Sequence, residues 1–390
     1  MIYRRFGRTE LQMPVITCGG MRFQQSWEDV ADNNLDDSIQ ENVKQIVQYA
    51  IKNGINHFET ARGYGSSEKQ LGLIFAQLPR DQLIVQTKIG PKNSEKEFLD
   101  TFNVSLQNLQ LDYVDLLSIH GINTPFLLKK SLKGGSLKAI RKLQADGRVR
   151  HAGFSTHGST QIIIDAINSG EFDYVNLHWF FFDQHKLPAI EAAAKQDMGI
   201  FIISPNDKGG KLYAPPDKLT KLCEPLTPMG FNDLFCLANK NVHTLSMGVA
   251  KPQDFDAHLN ILPKLKNATA EIQPIIEKID AEAIRILGRE WARHWQDGLP
   301  THLECGAPLY QILLMLNMYK AFDMLEFGKM RYNLLGSGDH WFPGEKVDKI
   351  NMDAIKVCLK DYRFASKIPQ LLLEAHNIFN DDNTKRLSKS

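Results

Sequence analysis

Cysteine is scarce in this chain: Cys18, Cys223, Cys236, Cys305 and Cys358 are the five in 390 residues, and no two stand in a C-x-x-C spacing. An odd, scattered set argues against a disulfide framework and a thiolate zinc site, and points to a reducing compartment. An excess of one charge is also missing. Lysine and arginine total 46 against 45 acidic residues, a formal net charge of +1, so no nucleic-acid partner is expected. The short basic stretch NTKRLSKS at 383–390 reads as a solvated terminus. No apolar run reaches the roughly 18 residues of a membrane span. The opening MIYRRFGRTELQMP has no apolar core of a signal peptide. The expectation is a soluble cytoplasmic protein with no membrane partner.

What is present is a repeated alternation. Short β-rich runs recur at VITCGG (15–20), HFETA (57–61), LIVQTKIG (83–90), VDLLSIHG (114–121), HAGFST (151–156), YVNLHW (174–179), IFIISP (200–205) and TLSMGV (244–249). Most are continuously apolar, as parallel strands covered by helices on one side and a core on the other should be. Between them stand stretches of helical spacing, such as 41–54, 136–147 and 187–199, each closing on a glycine suited to a left-handed C-terminal cap. Eight such units in roughly 250 residues match an α/β fold of the (β/α)8 TIM-barrel type. An open doubly wound sheet is the competing arrangement, but no G-x-G-x-x-G follows the first strand. Past about residue 265 the alternation stops. AEIQPIIEKIDAEAIRILGREWARHW and PLYQILLMLNMYKAFDMLEFGKMRYNLL read as amphipathic helices, with a glycine- and aromatic-rich loop at 336–346. The expected division is a barrel over 1–265 and a smaller all-helical domain over 266–390.

In a barrel of this kind, chemistry gathers at the C-terminal ends of the strands. Glu59 ends the second candidate strand, Lys88 stands near the end of the third and His120 near the end of the fourth, while Tyr64 lies between two glycines in the loop after the second. Singly, each has a plain structural reading: a rim charge, a structural histidine, a salt-bridge partner. Together they suit proton transfer by a phenol. Free tyrosine, with a pKa of about 10, exchanges its proton poorly near neutrality. A buried ammonium nearby favours the phenolate, and the ammonium needs a carboxylate to stay charged away from water. An imidazole opposite can orient a carbonyl oxygen and share its developing charge.

The ordered segments resemble the aldo/keto reductase superfamily over about residues 1–265. YRRFGRTELQMPVITCGGMRF is similar to its N-terminal hairpin and first strand. FETARGYGSSEKQLG resembles its Asp-Thr-Ala, Tyr-Gly, Ser-Glu and Leu-Gly segment, TK at 87–88 its lysine strand and SIHG its histidine strand. The resemblance implies a catalytic set of Tyr64 as proton donor to a carbonyl, Lys88 as its tuner and His120 as the orienting group. Glu59 stands where the family has aspartate, one methylene shorter. Hydride would come from a nicotinamide, NADPH in preference to NADH. The same resemblance places cofactor contacts at Gly20 and Met21 after the first strand, and at Ser155, Thr156 and Asn176 around the carboxamide. It adds Ser204, Lys208, Gly209 and Lys211 at the pyrophosphate, and Gly248, Lys251, Asp254 and His258 at the adenosine end. The helical tail resembles that of a branch carrying cysteine-ligated iron–sulfur clusters. Its cysteine groups are absent here, so no metal or cluster is expected. The implied function is reduction of a small aldehyde or ketone. Two other readings remain open at this point: a cofactor-binding regulatory subunit with little turnover, and an adaptor that acts through its helical domain.

Overall fold

The apolar runs form strands, and the computed structural model, which describes residues 1–31 and 34–381, closes them into a barrel. The basic stretch at 383–390 lies outside the described residues. A hairpin comes first: β1 (Tyr3–Arg5) pairs antiparallel with β2 (Gln12–Pro14), Tyr3 opposite Pro14. Eight strands follow in chain order. They are β3 (Ile16–Gly19), β4 (His57–Glu59), β5 (Ile84–Ile89), β6 (Val114–His120), β7 (Val149–Ser155), β8 (Tyr174–Leu177), β9 (Gly199–Ile202) and β10 (Thr244–Gly248). Each pairs in parallel with the next, and β10 returns to β3, so no edge is left open. All eight expected strands are present and the open-sheet alternative is excluded. From the hairpin region, Phe6 and Met13 join Ile84, Leu116, Tyr174 and Phe201 in one apolar cluster, where Ile84 and Tyr174 are the first residues of their strands.

Register sets the upper rim. Gly19 pairs with both Gly248 and Glu59, Lys88 with Ser118, His120 with Ser155, and Ser155 with Asn176. The interior below is partly polar. Thr17 Oγ1 bridges His57 Nδ1 at 2.7 Å and Thr244 Oγ1 at 2.8 Å, while Gln86 donates to Ser118 and Ser118 to the Tyr174 phenol. Burial, followed by the charge of Lys88, pushes His57 down to about 3. The unfolded chain takes up a proton there that the fold refuses, so stability should fall as pH drops from about 6.5 to about 3, by ~1.4 kcal/mol per pH unit at most. Urea midpoints at pH 7, 5 and 4 would show this slope. His57→Asn should flatten it, and an unchanged slope would assign the acid lability to another group.

Helices start where side chains satisfy their first N–H groups. Asp36 caps Asp37–Lys52 through Ser38 N and Ile39 N, and Ser94 caps Glu95–Leu109 through Glu97 N. Two of the three expected glycine caps have left-handed backbones, Gly54 at φ +77° and Gly147 at φ +74°. The third differs. After Leu187–Lys195 the left-handed residue is Asp197, at φ +51°, and Gly199 opens β9, where the Phe6 ring occupies the place of a side chain.

The described chain divides into two compact units, 1–209 with 232–269, and 210–231 with 270–390. The segment 210–231 falls in the second unit. That unit is helical, and its two long apolar stretches are each broken once. Gly288, at φ +80°, separates Ala268–Leu287 from Arg289–His294, and Asp323, at φ +61°, separates Leu309–Phe322 from Leu325–Tyr332. Leu309–Phe322 packs on Ile368–Phe379 with Leu313, Leu316, Leu372 and Phe379 buried. Among the described residues no helix is long and apolar enough to cross a membrane.

Candidate active site

Four strand ends and one loop assemble the candidate catalytic group. Lys88, 1% exposed on β5, donates to the Glu59 carboxylate at the end of β4 and to the Thr60 carbonyl at 2.7 Å. Glu59 is itself buried, and its second oxygen accepts from Ser246 Oγ of β10 at 3.1 Å. A Cβ on Gly19 would stand 2.5 Å from that hydroxyl and 3.4 Å from the carboxylate oxygen. Glycine at 19 therefore leaves room for the longer acid and for the serine that holds it.

The Lys88 ammonium lies over the Tyr64 ring, 4.6 Å from its centroid. His120, at the end of β6, meets the same ring edge-on, with centroids 5.7 Å apart and an interplanar angle of 83°. Tyr64 is thus wedged between an ammonium and an imidazole while remaining partly exposed. Its two flanking glycines have different reasons. Gly65 has φ +52°, and a Cβ there would fall 1.7 Å from the Ser26 carbonyl oxygen, so only glycine permits this approach of two backbones. The contact is fastened by Ser66 N donating to Ser26 O and by Gln25 N donating to Ser66 Oγ. Gly63 faces His120, with 4.0 Å to Nδ1 from a Cβ placed there.

Burial sets the proton balance. It pulls the Lys88 ammonium well below its ordinary value, and the Glu59 carboxylate and Thr60 carbonyl oppose that shift by accepting from it. It pushes the Tyr64 phenol above its ordinary value, so the phenol is held protonated at neutral pH. The expected lowering of Tyr64 by Lys88 is therefore outweighed in the free protein by desolvation. Held protonated, a phenol is an acid in waiting.

The other candidate residues distribute unevenly. Asn176, fully buried on β8, has neither its amide Nδ2 nor its Oδ1 partnered among the described residues, so it presents a donor and an acceptor together. Ser155 is buried beside it and accepts from Gly121 N, while Thr156 Oγ1 is occupied, donating to Ile122 O and accepting from Gly158 N. Gly20 is buried and accepts from Ser67 Oγ, with Met21 half-buried next to it. In the loop after β9, Ser204 has φ +53° and accepts from Lys208 N, and Gly209 is buried. Lys208 Nζ lies 3.2 Å from Nε2 of both His157 and His178. Lys211, in the second unit, lies 3.7 Å from Glu326.

At the last turn, Gly248 is exposed against Arg22, and Lys251 is exposed. The Asp254 carboxylate accepts from Ala250 N and Lys251 N, so it takes up the backbone donors of its own turn. His258 is buried with Nδ1 2.5 Å from Asp233. The structure thus brings Tyr64, Lys88, His120 and Glu59 together, whereas His258 and Asp254 are engaged by their own neighbours. Three participants were missed in the sequence. Ser246 is a hydroxyl inside an otherwise apolar strand, which is a usable signal. His157 and His178 stand two positions after Ser155 and Asn176, but only the fold shows that they share Lys208. Among the described residues, no group of three or more His, Cys, Asp or Glu side chains is placed to hold a metal ion.

Comparison with known proteins identifies the family and the fold. Residues 15–214 match the model of the aldo/keto reductase family. L-galactose dehydrogenase of Arabidopsis thaliana is 24% identical over 313 residues, which is 71% of this chain and 94% of that protein. Other curated relatives match over only 30% to 48% of their own length. Among solved structures, an aldo-keto reductase of Bacillus halodurans in its holo form has a TM-score of 0.60 at 19% identity, covering 71% of this chain and 96% of that one. An aldo-keto reductase of Bombyx mori in complex with NADP has a TM-score of 0.52 at 19% identity, covering 69% and 91%. At these identities the structural likeness carries the barrel fold.

Proposed function

The chain belongs to the aldo/keto reductase family and is an oxidoreductase of that type, and on that premise we propose that it reduces a small aldehyde or ketone at the expense of NADPH, with Tyr64 as proton donor. The observation that carries the reading is Tyr64 held between the Lys88 ammonium and the His120 ring, with Lys88 bound to buried Glu59. The unpartnered donor and acceptor of Asn176 fit a primary carboxamide, so Asn176, with Ser155 beside it, would hold the nicotinamide ring. When bound, the dinucleotide supplies the hydride. Every remaining task falls to the chain. His120 orients the carbonyl oxygen toward the phenol, Tyr64 gives that oxygen its proton, and Lys88 stabilises the phenolate left behind. Glu59 keeps Lys88 aimed. The helical segment 266–390 is taken as a separate domain without a metal centre.

The direct test is NADPH oxidation by the purified protein against a panel of aldehydes, quinones and ketones. Tight NADPH binding with no turnover on any of them would favour the regulatory reading instead. Preference for NADPH rests on Lys251, Lys208 and Lys211. Lys251 is exposed, so Lys251→Ala should weaken NADPH binding relative to NADH by about 1 kcal/mol. Equal losses for both cofactors in fluorescence titrations would remove Lys251 as the reader of the 2′-phosphate.

A further inference from the structure

Two of the scarce cysteines meet in the second unit. Cys305 is the last residue of the helix His302–Cys305 and Cys358 the last of Met352–Cys358, and these two helices pack on each other. The two thiols are close enough to influence each other electrostatically, Cys305 Sγ donates to the Thr301 and Ala307 carbonyls at 3.3 and 3.5 Å, and both cysteines are partly exposed, whereas Cys18, Cys223 and Cys236 are buried. A metal does not account for the pairing. Two thiolates are half the number a cubic iron–sulfur cluster needs, and among the described residues no third ligand completes a metal-binding group.

We infer that Cys305 and Cys358 form a reversible dithiol–disulfide site that exchanges with small-molecule disulfides of the glutathione type. Burial, with the neighbouring Cys358 adding to it, pushes Cys305 up to about 11, so Cys305 keeps its proton and the first attack is assigned to the other sulfur. The Cys358 thiolate attacks the oxidant's S–S bond. That bond breaks, one glutathione leaves as its thiolate, and a mixed disulfide stands at Cys358. Cys305 then loses its proton, attacks the Cys358 sulfur and expels the second glutathione. Two electrons pass from the pair to the oxidant, and the two protons end on two glutathione thiols. The bond formed ties residues 305 and 358 across the helical segment between them.

The experiment treats the full-length native protein with oxidised glutathione and reads it by intact mass and by peptide mapping without reductant. The expected product is a loss of two hydrogens, no retained glutathione and a 305–358 linked peptide, reversed by dithiothreitol. Cys305→Ser should instead trap one glutathione on Cys358, because the resolving thiol is gone. Cys358→Ser should react many-fold more slowly. Circular dichroism of both variants checks that they remain folded. Linkage through Cys18, Cys223 or Cys236, crosslinking only between chains, a stable adduct on the parent protein, or two thiols that stay free would each overturn the inference.

Discussion

Tyr64→Phe should leave NADPH binding intact and lower carbonyl reduction by about 10²-fold or more, the lower range for a lost general acid. The substitution removes one oxygen and little else. The ring would still lie under the Lys88 ammonium and against His120, and the Gly65–Ser26 contact that places it would be untouched. Binding and chemistry therefore separate cleanly: fluorescence titration reports the first, and initial rates with a good carbonyl substrate report the second. The pH profile adds a signature. Burial lifts the phenol above its ordinary value, so the donor stays protonated through neutral and mildly alkaline solution, and the fall in kcat/KM should begin above about pH 10 rather than below it. Lys88→Met should move that limb higher still, since the nearby positive charge is what favours the phenolate. Reduction by Tyr64→Phe at the parental rate would refute the mechanism.

Glu59→Gln should both slow the reaction, by about tenfold or more, and destabilise the fold by about 3–5 kcal/mol, because removing one partner of a buried pair leaves the other charge uncompensated. Lys88 is 1% exposed and cannot turn to water. Its folded pKa, already lowered by burial, would fall further without the carboxylate. A lysine depressed in the fold binds fewer protons there than in the unfolded chain, so the penalty should be largest at low pH. It should shrink as pH rises toward about 10.4, the ordinary lysine value. Urea denaturation at pH 6 and pH 9 measures this directly. Glu59→Asp keeps the charge and should retain activity, although the shorter side chain draws back from Ser246. A Glu59→Gln protein with parental stability and rate would show that the pair does not matter to either.

The barrel was legible because its evidence is repetitive. Eight apolar runs spaced by helical stretches leave few topologies, and the polar residues that end them, Glu59, Lys88 and His120, stand out against Ile, Val and Leu. Tyr64 could be found because two glycines isolate it, though the reason for Gly65 was not visible: the Ser26 backbone that crowds it lies 39 residues away in sequence. Helix lengths were harder. PLYQILLMLNMYKAFDMLEFGKM reads as one helix until Asp323 turns left-handed, and aspartate carries no strong signal for that. Cofactor contacts were least readable, since a side chain's task depends on who else reaches it. Asp254 spends its carboxylate on its own turn, and His258 is engaged by Asp233, a residue 25 positions earlier on a different helix. The same holds for Lys208, whose two histidines come from separate strands' ends.

The buried amide of Asn176 sets two selective pressures against each other. An unsatisfied buried polar group costs on the order of 1–3 kcal/mol, and here both ends of one side chain lack a partner among the described residues. An apolar residue of similar size would make the empty barrel harder to melt, so a search for thermal robustness alone would discard the asparagine. With a carboxamide proposed to complete it, the same deficit becomes a difference between empty and loaded protein. The melting temperature should climb with cofactor concentration more steeply than in a variant cured of the defect. Durability of the vacant enzyme and grip on its coenzyme are, at this position, the same quantity with opposite sign.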